Sequence, residues 1–256
     1  MFLTGMSPFL GAVFVATTLL IAIPSAVKVF NYVTTLWKGN IKYTPAMLFA
    51  IGMVSTFLTG GVTGIILADA ALDIPVHDTY FVIAHFHVVM GVSAILAMFA
   101  GVYHWYPKMY GRMMNSRLGM IHFWITFVSA YGVFLPMHFV GMAGLPRRYY
   151  NYSNFPMFDG VMDLQVVITI FAMLGGIAQI FFIYNYFYSI KNGQKAPQNP
   201  WKSNTLEWTT PVEHIHGNWP GAIPEVHRWP YDYSKPGKAE DFVPQTVPLE
   251  PGEEEH

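Results

Sequence analysis

An all-α, polytopic transmembrane helix bundle, with five membrane-spanning helices and an irregular cytoplasmic C-terminal tail, is the fold class this sequence of 256 residues predicts. Three observations carry it. Only 11% of the residues are charged and 53% are hydrophobic, against roughly a quarter charged in an ordinary soluble domain. Five long stretches hold no Asp, Glu, Lys or Arg at all. The remaining charge is unevenly placed: residues 1–190 carry 8 basic and 5 acidic side chains, and residues 191–256 carry 6 and 10. The chain thus divides into a five-helix transmembrane region, 1–190, and a Pro-rich tail, 191–256. With a net charge of −1 there is no basic surface for a nucleic-acid partner. There is no cysteine, which excludes a disulfide scaffold, a Cys-ligated metal centre and a thiol nucleophile.

The charge-free spans are 1–27, 43–68, 79–107, 118–146 and 164–190. About 20 apolar residues cross a bilayer core as a helix, so each has length to spare for tilt. Barrel strands of about 10 alternating residues fit none of them. The first span has no basic flank before Lys28, and it is too long for a cleaved signal peptide. Lys38 and Lys42, then Lys108, Arg112 and Arg117, then Lys191 and Lys195 follow the first, third and fifth spans. Two crossings separate each group from the next, so all three share one side, and the positive bias makes it cytoplasmic. The opposite side holds Asp69, Asp73, His77 and Asp78 in one loop and Arg147, Arg148, Asp159 and Asp163 in the other. The two arginines there run against the bias, so a negative group is expected to meet them. The glycine pairs at 60–61 and 175–176 suggest close helix packing. The tail, ending DFVPQTVPLEPGEEEH, has no helical or strand period and is expected to be loosely ordered or draped on partners.

Polar groups at membrane depth are expensive and call for a reason. In A-H-F-H, His85 and His87 stand two residues apart, about 200° round a helix, and cannot easily share one metal ion. Each can serve a separate centre, such as haem iron, or each can simply bond to a neighbouring helix. Lys28 ends A-I-P-S-A-V-K. It either snorkels to the interface or, with Ser25 beside a helix loosened at Pro24, relays protons. His77 and Asp78 offer N and O donors to a hard divalent ion, a weak signal taken alone. A haem held at His85 would bring its carboxylates towards Arg147 and Arg148, and guanidinium groups pair bidentately with carboxylates. His104, His122 and His138, near span ends, read as interfacial or hydrogen-bonded.

The string H-D-T-Y-F-V-I-A-H-F-H-V-V, residues 77–89, resembles the signature of subunit I of haem–copper terminal oxidases, cytochrome c oxidase above all. A-I-P-S-A-V-K-V-F, T-P-A-M-L-F-A-I-G, G-G-V-T-G-I, H-F-W-I-T-F, G-L-P-R-R-Y and N-P-W…T-L-E-W-T extend the match over residues 1–210. The resemblance implies a proton-pumping oxygen reductase of aerobic respiration, with two haems of haem A type, copper and Mg2+. His85 then resembles the axial ligand of the high-spin haem and His87 that of the low-spin haem, with Phe86 between them. Lys28 and Ser25 resemble a proton-uptake path, and His77 and Asp78 the magnesium ligands. Arg147 and Arg148 resemble the propionate clamp, with Asp73 a further group near the propionates.

It also implies subunits II and III as partners, cytochrome c or quinol as electron donor, a larger respiratory supercomplex, and a bacterial cytoplasmic membrane in preference to a mitochondrial inner membrane. The family's subunit has about a dozen spans, and this chain matches the last five. The copper histidines, the second axial histidine of the low-spin haem and the intramembrane glutamate of the other proton path are missing. Either Met1 is internal to a longer subunit, the preferred reading, or the subunit is divided between two chains. A nitric oxide reductase-like relative is disfavoured by Lys28 and by His77–Asp78. A remnant that binds no haem is the remaining alternative.

Overall fold

In the computed structural model, residues 2–152, 154–212, 217–233 and 242–252 are described. Among them the chain is helical, with isolated bridges in place of strands. Five helical stretches, Pro8–Leu36, Pro45–Ala68, Tyr80–Tyr110, Ser116–Met142 and Pro156–Asn192, are long and apolar enough to cross a membrane. The expected five-span bundle is the observed one, and the protein is an integral membrane protein.

The first span is two helices, α1 (Pro8–Leu20) and α2 (Ala22–Leu36). Ser7 caps α1 and Pro8 opens it, a residue with no amide to leave unbonded. The break at Ile21 follows from Pro24, which has no N–H to bond back to the Leu20 carbonyl. Just beyond, the Ser25 amide and hydroxyl both bond to the Ile21 carbonyl, at 3.3 and 2.9 Å. The sequence ended this span at 27, because Lys28 interrupts the apolar run. The helix instead continues to Leu36, placing Lys28 in its interior, since a single long charged side chain does not stop a helix.

Thr44 caps α3 (Pro45–Ala68), and Asp69 ends α3 and caps the short α4 (Ala70–Val76). The third span starts as α5 (Tyr80–Phe86), capped by Thr79, widens into a π turn at His87–Val92, and continues as α6 (Ser93–Tyr110). The fourth and fifth spans are α7 (Ser116–Met142) and α8 (Asp159–Asn192).

Two compact units result: Met1–Tyr103 with Ser116–Asn185, and His104–Asn115 with Tyr186–His256. In the first, small residues set the approach of the helices. A β-carbon at Gly60 would lie 2.6 Å from the Val89 backbone in the π turn, so α3 and the third span meet backbone to backbone there. Of the glycine pairs, Gly60 and Gly175 lie against a neighbour, whereas Gly61 and Gly176 face open space. One apolar core joins Ala84, Met137, Val140, Leu145, Phe158 and Ile168. A second is aromatic, with Phe49, Phe99, Tyr103 and Phe182 round the ring of His122.

The second unit gathers the tail on the last turns of α6 and α8. Trp201 Nε1 donates to the His104 carbonyl at 3.0 Å, and Lys108 donates to Thr210 and lies over the Trp208 ring. Asn204, fully buried, donates to the Asp232 carbonyl and accepts from the Val243 amide. Arg228 donates to the Val247 and Pro248 carbonyls and to Asp232. The described tail is therefore folded onto its own chain, where loose order or draping on partners was expected. Its order comes from side chain-to-backbone bonds, which leave no periodic trace in a sequence. Asp241 and residues 253–256 of its acidic run lie outside the described residues.

Candidate functional site

The histidine pair stands where α5 opens into the π turn. His85 Nδ1 lies 2.9 Å from the Gly60 carbonyl and 3.1 Å from the Thr63 hydroxyl, both on α3. A carbonyl only accepts, so Nδ1 carries the proton and Nε2 keeps its lone pair. The ring rests over Gly64, where a β-carbon would come 2.9 Å from Cε1. His87 reaches the same state by another route. Its Nδ1 donates to the Ile83 carbonyl one turn back, at 2.8 Å, and its ring stacks on Phe134 of α7 with centroids 5.3 Å apart. Phe86 packs beside it at 4.3 Å. One imidazole thus turns to α3 and the other to α7.

The π turn contributes directly, since such wide turns mark functional sites in helices. Ser93 donates its hydroxyl to the Val88 carbonyl five residues back, at 2.9 Å, and the same hydroxyl meets Thr56 of α3. A third histidine shares the tautomer. His138 donates Nδ1–H to the Phe134 carbonyl at 2.7 Å, is only 6% exposed, and keeps Nε2 buried without a partner among the described residues. Of the two expectations for this residue, interfacial or hydrogen-bonded, the second is the observed one, and Phe81 of α5 covers the ring edge-on at 5.0 Å. His122 is fully buried and bonds to Tyr103 and Gln179.

At one end of the bundle two loops are sewn together. Thr79 and Pro146 form an antiparallel bridge, Tyr80 N donates to the Leu145 carbonyl at 3.0 Å, and Arg147 N donates to the Asp78 carbonyl at 2.9 Å. Asp78 takes a positive φ of 55° to make this corner. It thereby places its carboxylate on Arg147, whose Nε and terminal nitrogen both reach Oδ1. The negative group expected to meet an outlying arginine is thus Asp78 itself. The Arg147 hydrogen bond holds the Asp78 carboxyl below its ordinary value of 3.8, with further help from the nearby positive charges.

Buried Asp73 accepts from His77 Nδ1 at 3.2 Å, and His77 Nε2 lies 3.6 Å from the second Asp78 oxygen. Tyr152 donates to the Pro146 carbonyl at 2.8 Å, and burial pushes its phenol up. A cavity of about 260 Å³ opens here, lined by Asp73, His77, Asp78 and Arg147 together with Thr18, Leu67 and Val82. Arg148 is exposed, has a positive φ of 73°, and is among the positive charges that act on the Asp78 carboxylate.

Lys28 and Ser25 stand apart on α2. Lys28 is exposed, and Ser25, Lys28, Tyr32 and Thr35 fall on one face of that helix. Tyr32 and Thr35 were not picked out from sequence, although their helical spacing from Lys28 is a readable signal.

Bare Nε2 atoms on two pinned imidazoles fit axial ligation of haem iron, with the carbonyl behind each ring fixing its tautomer. The divalent site is a different matter. No three His, Cys, Asp or Glu side chains converge to hold a metal ion among the described residues, and Asp78 is already engaged by arginine. The residues present do not by themselves make a magnesium site.

A polytopic helical membrane protein with a ligand-ready histidine pair inside the bundle is the class defined so far. The model of the cytochrome C and quinol oxidase polypeptide I family matches residues 1–174, and the chain belongs to that family. It is 48% identical to the alternative cytochrome c oxidase subunit 1 of Bradyrhizobium diazoefficiens, over 97% of this chain and 42% of the relative. It is 43% identical to cytochrome c oxidase subunit 1 of Thermostichus vulcanus, over 91% of this chain and 41% of the relative. The chain thus spans about two fifths of the length of these relatives. A cryo-EM structure of a heme-copper terminal oxidase dimer shares the fold, with a TM-score of 0.65 and 19% identity over 75% of this chain and 39% of that one.

Proposed function

We propose that the chain is the C-terminal half of the catalytic subunit of a respiratory, proton-pumping oxygen reductase. One observation carries the reading: His85 and His87 each spend Nδ1–H on a backbone carbonyl and keep Nε2 bare, with one ring turned to α3 and the other to α7. His85 is assigned to the high-spin haem and His87 to the low-spin haem. When bound, the haems, of haem A type, and a copper ion whose ligands lie outside this chain supply electron transfer and the reduction of O2 to water.

The chain's own residues hold and insulate. Gly60 and Ile83 orient the two imidazoles, and Phe86 and Phe134 flank the His87 ring and exclude water. Arg147 and Arg148 pair with haem carboxylates at the rim, with Asp73 nearby. Lys28 passes protons at Nζ, with the Ser25 hydroxyl next along the same face. The remaining half of subunit I, subunits II and III, and a cytochrome c or quinol donor complete the machine. The bacterial relatives support a bacterial cytoplasmic membrane as its site.

Pyridine haemochrome analysis of the purified assembly is expected to give two haems per chain. Replacing His87 by Leu is expected to remove the low-spin spectrum and spare the high-spin one; an unchanged spectrum overturns the assignment. Lys28→Met is expected to slow reduction of the oxygen site with haem content intact, and unchanged kinetics would remove the relay role.

A further inference from the structure

We propose that Arg112, Lys191 and Lys195 form a binding site for the phosphodiester of an anionic phospholipid, at the end of the bundle where α6 and α8 finish.

The backbone sets two of these cations face to face. Met113 N donates to the Gln194 carbonyl at 2.8 Å and Ala196 N to the Gly111 carbonyl at 2.9 Å. The two short segments therefore run antiparallel, with Arg112 and Lys195 opposite one another. They form the non-hydrogen-bonded pair of that ladder, the kind with Cα atoms only about 4.5 Å apart and both side chains on one face. Like charges placed directly opposite destabilise such a pairing.

Two glycines hold the arrangement all the same. Gly111 takes a positive φ of 62°, and a β-carbon at Gly193 would stand 2.5 Å from the Met113 carbonyl oxygen. Arg112 gives one terminal nitrogen to the Gly193 carbonyl at 2.7 Å, which fixes the guanidinium and leaves it donors for an anion. Lys191, in the last turn of α8, is the third cation, and both lysines are exposed. None of the three enters an ion pair among the described residues. Acids of the same unit are engaged elsewhere: Glu207 accepts from Trp105, Asp232 from Arg228, and Glu225 lies 3.7 Å from His227. What the cluster lacks is an anion from outside.

The adjoining surface selects which anion. Met109, just before Arg112, and Phe187, one turn before Lys191, are exposed apolar side chains on helices long and apolar enough to cross a membrane. Outward along either helix the surface passes from apolar to cationic, the order in which a phospholipid passes from acyl chain to phosphate. The positive bias marks this side as cytoplasmic, and anionic lipids charge that leaflet. A guanidinium takes phosphate through two parallel N–H···O bonds, and the lysines add compact point charges.

The test uses the purified complex that contains the full chain, with phosphatidylglycerol or phosphatidylcholine titrated in detergent and bound lipid counted by native mass spectrometry. Phosphatidylglycerol is expected to bind at least tenfold more tightly than phosphatidylcholine. Arg112→Gln and Lys195→Gln are each expected to weaken phosphatidylglycerol binding about fivefold and to leave phosphatidylcholine unchanged. Lys42→Gln, which removes a charge from another loop on the same side, is expected to bind as the wild type does. In vesicles of pure phosphatidylcholine, Lys195→Gln is expected to raise the melting temperature by relieving the like-charge pair. In phosphatidylglycerol vesicles it is expected to lower it, a reversal that a purely structural role would not produce.

Unchanged phosphatidylglycerol affinity in both Arg112→Gln and Lys195→Gln overturns the proposal, as does an equal loss in Lys42→Gln. Displacement of the lipid by millimolar inorganic phosphate would make this a site for free phosphate and overturn the lipid assignment. Circular dichroism of each variant shows that the helices are intact.

Discussion

Gly141 of α7 lies against the backbone of Phe81 in α5, so close that a β-carbon at 141 would stand 2.6 Å from the Phe81 Cα. The obstacle is main chain, which cannot swing aside as a side chain does. This contact seats the start of α5, and with it the histidine pair one turn further on. Gly141→Ala is therefore expected to destabilise the bundle by about 1–3 kcal/mol, the usual range for overpacking. Gly61→Ala, which meets nothing within 4 Å, is expected to be neutral. Steric-trapping measurements in detergent compare the two.

Gly64 lies beneath the His85 ring. A methyl there would press on Cε1, 2.9 Å away, and turn the imidazole against its bond to Gly60. On the haem assignment proposed above, Gly64→Ala in the assembled complex is expected to shift or erase the iron–histidine vibration of a haem held at His85, with a haem held at His87 unaffected. Resonance Raman spectroscopy resolves the two centres.

The contact between Asp78 and Arg147 has a defined dependence on pH. The folded carboxyl titrates below its ordinary value of 3.8, so the folded state binds this proton less readily than the unfolded chain. Its contribution is fully present above 3.8 and is lost only as pH falls through the lowered folded value. Protection of the rim amides, measured relative to the intrinsic exchange rate at each pH, is expected to stay flat from neutral pH down to about that ordinary carboxylate value and to fall below it. In Asp78→Asn that step disappears.

Arg228 fastens the end of the tail. Its side chain is 2% exposed and reaches the Val247 and Pro248 carbonyls at 2.8 Å each and Asp232 at 3.1 Å. Arg228→Ala leaves a nearly buried carboxylate without this partner, a loss of about 3–5 kcal/mol when a buried pair is broken from one side. Limited proteolysis within 242–252 is expected to quicken at least tenfold, with the transmembrane helices untouched.

How much of this was readable beforehand varies with the physics involved. Charge-free length gave five helices, because the cost of a charge in hydrocarbon is a property of single residues. Lys28 misplaced the end of the first span, since snorkelling lets one lysine sit inside a helix that continues two turns further. The opposite-facing histidines followed from helical angle alone. That both rings would pin Nδ1 and bare Nε2 depended on which carbonyls α3 and the preceding turn offered. The rim was half legible: an arginine out of place demanded an anion. Naming Asp78 as that anion required the Thr79–Pro146 bridge, a pairing of residues far apart in the chain. His138 left no local signal, because its burial is made by Phe81 of another helix.

The π turn at His87–Val92 has a consequence for how this span can change. A wide turn holds one residue more than the α-helix would need, so everything from Ser93 onward is rotated by about 100° relative to an unbroken helix. Leu96, Phe99 and Tyr103 are buried only in that rotated phase. Losing a single residue anywhere between His87 and Ser93 would let the helix close up without strain and still cross the membrane. It would also swing those three side chains off their packing faces. The span is thus robust in length and fragile in phase, and its reading frame in space is kept by the serine that bonds five residues back.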